Sequence, residues 1–118
     1  MGFSDGAEVT PQTASSYDLD QLAYAVRVAE TSNCTLGYGA MYNNCYGIKN
    51  GSIAPCSSRG INDMCIYRSQ EESTVAFKKI WTEGYGGVFP GKEEASAWTG
   101  NDNPDDWLKN VNSAYGQY

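Results

Sequence analysis

All four cysteines of this 118-residue chain fall in one segment, at positions 34, 45, 56 and 65. They form no CxxC pair, which argues against a zinc site built from four thiolates. An even number of cysteines in a small chain rich in Tyr and Asn is typical of disulfide bonds and an oxidising compartment. Three pairings are open, and we favour Cys34–Cys45 with Cys56–Cys65 because each closes a short loop rich in Gly, Asn or Ser. The sequence therefore predicts a disulfide-crosslinked lobe, with no bound metal or cofactor.

The composition excludes several kinds of site. Histidine is absent, which removes Ser-His-Asp and Cys-His catalysis and leaves acid–base chemistry mainly to carboxylates. The net charge is -6 and the eight Lys and Arg are scattered, so we expect no nucleic-acid partner. No apolar run approaches the roughly 20 residues of a membrane-spanning helix. The N-terminus shows no basic-then-apolar leader, so if the protein is secreted we expect a signal that has been removed or that belongs to a larger parent protein.

Periodic apolar positions predict four helices, and Asp18, Ser69 and Asn103 each stand where a helix N-cap belongs. Between the first two helices the pattern breaks down, apart from a short strand expected at 64–68. The expected helices span 19–31, 70–81, 92–98 and 104–115.

Three of these helices should share one apolar centre. We therefore expect a flexible arm over residues 1–17 and a single domain over 18–118, which is mainly α with one irregular lobe. The six residues expected to be buried together are Leu22, Val26, Phe77, Ile80, Trp107 and Val111.

Four short segments occur in an order that has a counterpart in a known family. They read AETS at 29–32, NNCYGIK at 43–49, IYRSQEES at 66–73, and WTG through DWLKNV at 98–111. In this order they resemble the lysozyme-like superfamily, most closely its peptidoglycan-cleaving glucosaminidases of flagellar and autolysin type and the related lytic transglycosylases. The resemblance implies an α+β lysozyme-like catalytic domain, located outside the cytoplasm in a secreted, periplasmic or phage-borne protein. It also implies cleavage of β-1,4 glycosidic bonds in bacterial cell-wall peptidoglycan.

Glu30 is the residue expected to protonate the glycosidic oxygen. It ends an apolar helix beside a Gly- and Tyr-rich segment, and both burial and a helix C-terminus raise the pKa of a carboxyl group. Asp63 can be read as a second catalytic carboxylate that activates water, or as an ordinary turn residue. Without it Glu30 would act alone, as in lytic transglycosylases, with the substrate's acetamido group steadying the positive charge. Tyr67 would then bind that acetamido group, or else be an ordinary core residue.

The expected substrate-binding residues follow from the same motifs. The resemblance places Asn44, Tyr46 and Gly47 on the floor of the cleft beside Glu30. Trp98 can stack on a sugar ring or belong to the core. The expected partners are peptidoglycan glycan strands, bound by a monomer. The alternative function is a lysozyme-like module that binds cell-wall glycan without cutting it.

Overall fold

The computed structural model describes residues 17–118 and consists of helices packed around one core. The predicted N-terminal arm lies outside the described residues except for Tyr17, whose ring packs edge-on against Phe89. The described helices are α1 (Leu19–Thr31), α2 (Gly37–Met41), α3 (Gln70–Gly84), α4 (Lys92–Thr99) and α5 (Pro104–Tyr115). The prediction of a mainly helical domain is confirmed.

The predicted core is confirmed except for one residue, Ile80. Five of the six expected residues are buried, whereas Ile80 is partly buried and packs against the rest. Ile80 is less covered because it also lines a surface cavity. α1 and α5 make the most extensive helix contact, and the amide of Gln21 ties them together by donating to the carbonyl of Tyr115. The core residues on α1, α3 and α5 therefore hold these helices in register.

The short strand predicted at 64–68 is not formed, and residues 17–118 contain no strand. Only isolated bridges join Lys49 to Met64 and Arg59 to Cys65. The pairing cannot extend because Asn62 and Asp63 adopt left-handed conformations, with φ of 53° and 63°, which interrupt an extended chain. Single bridges therefore join these segments of the irregular lobe where a sheet was expected.

Disulfides give that lobe its permanent connections. The predicted pairs are confirmed, with Cys34 bonded to Cys45 and Cys56 bonded to Cys65. Within this lobe lies α2, a helix too short for an apolar pattern to reveal. Its Gly39 is buried against Thr31 at the end of α1, where a Cβ would come within 2.2 Å of the threonine methyl group. Only glycine fits that contact, so the lobe packs closely against the end of α1.

Candidate active site

Glu30 stands where the apolar core opens to solvent. It follows Leu22 and Val26 at four-residue spacing, so all three side chains lie on one stripe of α1. The first two are completely buried, and Glu30 lies beyond them at the helix end. The next residues make an immediate reversal, with Ser32 left-handed at φ 50°. The helix thus delivers one carboxyl group to the edge of the core and then turns away.

Two tryptophans, on α4 and α5, donate hydrogen bonds to that carboxyl group. The indole N–H of Trp98, on α4, donates to Glu30 Oε2 at 2.9 Å, and that of Trp107, on α5, donates to the same oxygen at 2.8 Å. We call this pair of hydrogen bonds the indole clamp. It joins three helices at one atom and leaves the second carboxyl oxygen, Oε1, without an indole partner.

The free oxygen lies over Gly47. This glycine has φ +69°, and a Cβ built on it would stand 3.5 Å from Glu30 Oε1. A side chain longer than alanine would therefore crowd the carboxyl group, in addition to straining the backbone. Because the indole N–H groups can only donate, they occupy Oε2 and leave Oε1 as the oxygen that can carry a proton.

Burial raises the pKa of the Glu30 carboxyl above its ordinary value, and the two indole hydrogen bonds oppose this by favouring the ionised form. Glu30 as a whole residue is exposed to solvent, yet one oxygen of its carboxyl group is bonded to the two indoles and the other lies over Gly47. Burial is the larger effect. The group therefore combines a raised proton affinity with a fixed orientation.

These residues line an open groove of about 450 Å³, which we call the Glu30 groove. Its floor includes Tyr46, which is buried, stacks on Phe77 at 4.7 Å and places its hydroxyl 2.8 Å from Thr74. Three charged residues that the sequence reasoning did not assign to the site also line it. They are Lys49, Asp102 and Asp106.

Trp98 is held by other aromatic rings. Its ring meets those of Phe77, Trp81 and Tyr85 edge-on, at centroid distances of 5.6, 5.9 and 5.5 Å. This packing aims its N–H at Glu30. Trp107 is only 7% exposed, so the prediction that it belongs to the core is correct for its ring. That prediction did not include the hydrogen bond from its N–H to Glu30. A buried tryptophan needs an acceptor for that N–H, which is the signal that could have pointed to it.

The other predicted residues fall outside the groove. Asn44 is fully buried beneath it, where its amide donates to the carbonyls of Ile48 and Cys65 and accepts from Ile48 N–H. It shapes the floor without reaching a ligand. Asp63 is exposed in a 3₁₀ turn and pairs with Arg59 at 3.3 Å, so it does not share a cavity with Glu30.

Tyr67 lines a different cavity, of about 440 Å³, with Arg68 and Glu72. Burial, followed by the negative charge of Glu72, raises the pKa of Tyr67 to about 12. Its hydroxyl has no hydrogen-bond partner among the described residues. The structure therefore brings together Glu30, Tyr46, Gly47 and Trp98, and separates Asp63 and Tyr67 from them.

Comparison of the chain with protein families, with curated proteins and with solved structures finds no match. No helix within residues 17–118 has the length and apolar character needed to cross a bilayer. In the same part of the chain, no three acidic or cysteine side chains are placed to hold a metal ion. The geometry of the Glu30 groove and the sequence motifs are therefore the features that bear on function.

Proposed function

We propose that this chain cleaves β-1,4 glycosidic bonds of peptidoglycan, with Glu30 as the general acid. The observation that carries the proposal is the carboxyl group of Glu30, which has a raised pKa, a free oxygen and a fixed orientation in an open groove. A glycosidase acid needs these properties, because it must hold a proton near neutral pH and deliver it to one oxygen atom. The motifs that resemble peptidoglycan-cleaving enzymes supply the substrate class.

The indole clamp would assign different roles to the two oxygens of the Glu30 carboxyl group. While Oε2 accepts from Trp98 and Trp107, Oε1 carries the proton toward the groove. Once the proton has moved to the leaving oxygen, the two N–H donors stabilise the carboxylate that remains. If Glu30 acts alone, the same carboxylate then takes a proton, either from water in hydrolysis or from the sugar's 6-hydroxyl in transglycosylation. If an aspartate activates the water, that aspartate takes the water's proton instead.

The second catalytic carboxylate is not Asp63 in this proposal, because Asp63 lies outside the groove and is paired with Arg59. Two routes stay open. Asp102 or Asp106, which line the groove, activates the water, or Glu30 acts alone with help from the substrate's acetamido group. The two disulfides fit a protein that works in an oxidising compartment outside the cytoplasm.

The competing candidate is a glycan-binding module. One observation favours it, since two N–H donors on one oxygen favour the ionised form of Glu30, which cannot donate a proton. In that case Glu30 would hold three helices together and contact sugar hydroxyls, and no bond would be cut.

The test is cleavage of purified cell-wall sacculi by the wild-type chain and by Glu30→Gln, followed as loss of turbidity. We expect the wild type to solubilise the wall and the variant to lose about 10²–10⁴-fold in rate. Glu83→Gln is the matched control, because Glu83 is an exposed residue of α3 away from the groove. Near-normal clearing by Glu30→Gln would refute the catalytic role, and binding without cleavage by the wild type would favour the module. Mass spectrometry separates the routes, since anhydro ends indicate transglycosylation and reducing ends indicate hydrolysis.

A further inference from the structure

The Glu30 groove borders a second cavity of about 370 Å³, which we call the Tyr85 cavity. The two share one wall, which includes Gly47, Lys49 and Trp98. Beyond that wall the Tyr85 cavity adds Ile80 and Tyr85. A ligand that crosses this wall from Glu30 would contact both cavities.

The two cavities differ in charge. Three acids, Glu30, Asp102 and Asp106, line the Glu30 groove, whereas no acidic residue of the described chain lines the Tyr85 cavity. Lys49 is the cation on the shared wall. Within residues 17–118 no carboxylate pairs with it as a salt bridge. The groove is thus acidic on one side of this wall and carries a single positive charge at the crossing.

The backbone of Lys49 is fixed. Its neighbour Ile48 is held by both ends of the Asn44 amide, and Ile48 O also accepts from Cys65 N at 3.0 Å. Lys49 itself forms a bridge with Met64. It follows Gly47, which lies under the Glu30 carboxyl group, by two positions, a backbone span of at most about 7 Å. Its backbone is therefore anchored close to Gly47, and its side chain lines both cavities.

We propose that Lys49 binds the lactyl carboxylate of an N-acetylmuramic acid lying toward the Tyr85 cavity, an inference that rests on the proposed function. N-acetylmuramic acid differs from N-acetylglucosamine by this ether-linked group, whose carboxyl is free wherever the peptide has been removed. Asp102 and Asp106 repel the same carboxylate from the Glu30 side. The groove thereby sets which of the two alternating sugars occupies which side, and it prefers strands without peptides.

The test measures binding to Glu30→Gln, which keeps the glycan uncut. Two tetrasaccharides serve as probes: one alternates the two sugars without peptides, and chitotetraose has the same backbone without carboxylates. Adding Lys49→Gln should weaken binding of the first about fivefold, as for an exposed ion pair at the upper end of the usual range, and leave chitotetraose unchanged. Adding Asp102→Asn should instead strengthen binding of the carboxylate-bearing probe. Both effects should shrink at high salt.

Lys79→Gln is the matched control, because it removes the same charge from an exposed position on α3 outside both cavities. Equal weakening of both probes, no weakening, the same change in the control, or no binding of either probe would overturn the role of Lys49. The proposed function is judged separately by cleavage of sacculi. Cleavage with no dependence on Lys49 refutes only this inference, and the binding pattern without cleavage refutes only the glycosidase.

Discussion

Replacing Glu30 by glutamine and by alanine should separate its chemical role from its structural one. In Glu30→Gln the amide oxygen can take the place of Oε2, because the indole N–H groups of Trp98 and Trp107 only donate and will select an acceptor. The NH₂ group then takes the position of Oε1 above Gly47. The clamp survives and the transferable proton does not. In Glu30→Ala both are lost.

The burial of the two tryptophans sets the expected difference in stability between Glu30→Ala and Glu30→Gln. Trp107 is 7% exposed, so its N–H would be left without a partner in Glu30→Ala, at a cost of about 1–3 kcal/mol. Trp98 is more exposed, and its N–H can turn to water at little cost. One kcal/mol corresponds to about 4 °C in melting temperature for a domain of this size. We therefore expect Glu30→Ala to melt about 4–12 °C below the wild type, and Glu30→Gln to melt within about 4 °C of it.

Thermal unfolding followed by circular dichroism, with disulfides intact, measures the structural effect, and turbidity loss of sacculi measures the chemical one. Both variants should be almost inactive, while only alanine should be clearly destabilised. If the two variants melt together with the wild type, the indole clamp contributes nothing to stability and the reasoning about Trp107 is wrong. If glutamine is as unstable as alanine, the clamp requires the charge.

Three further predictions concern pH, mechanism and crosslinking. Because burial raises the folded-state pKa of Glu30, its favourable contribution is complete below its unfolded value of about 4.5 and is lost as pH rises through the raised pKa. Urea unfolding over a pH series should thus show that, as the pH rises, the unfolding free energy of the wild type falls relative to that of Glu30→Gln. A difference in unfolding free energy that stays constant with pH would contradict this. Asp63→Asn should cleave sacculi almost normally, since Asp63 is exposed and paired with Arg59; a loss as large as that of Glu30→Gln would make it the second catalytic carboxylate. Replacing Cys56 and Cys65 by alanine should lower the unfolding free energy by about 2–3 kcal/mol, and an unchanged urea midpoint would argue that the lobe does not depend on this bond.

The long helices could be predicted because their signals are local. α1 has the predicted bounds, since Asp18 caps its first turn and its apolar residues keep helical spacing to the end. α3 was predicted three residues too short, because its last turn carries Thr82, Glu83 and Gly84, which have no apolar period. α2 was missed because five residues cannot display a period, and its place depends on the contact between Gly39 and Thr31.

Part of the candidate site could also be predicted, because some of its residues belong to local sequence patterns. Glu30 and Gly47 belong to short motifs that can be read directly from the sequence. The acceptor for the Trp107 N–H is 77 positions away in the chain, and the register of α5 against α1 that brings them together is a property of the packed core. Asp63 was considered for catalysis because motif order does not tell on which side of an irregular loop a side chain lies. The left-handed turn at Asn62 sends it outward, beside Arg59.

The indole clamp also has a consequence for synthesis of the protein. Its acceptor is made early, on the first described helix, whereas one of its donors lies on the last. A chain still emerging from the ribosome contains Glu30 and the whole disulfide lobe before Trp107 exists. The carboxyl group is then neither oriented nor enclosed, so a nascent or C-terminally truncated chain should be inert toward glycan. The orientation of the Glu30 carboxyl group thus depends on the last described helix having been made, and so does the activity proposed for it.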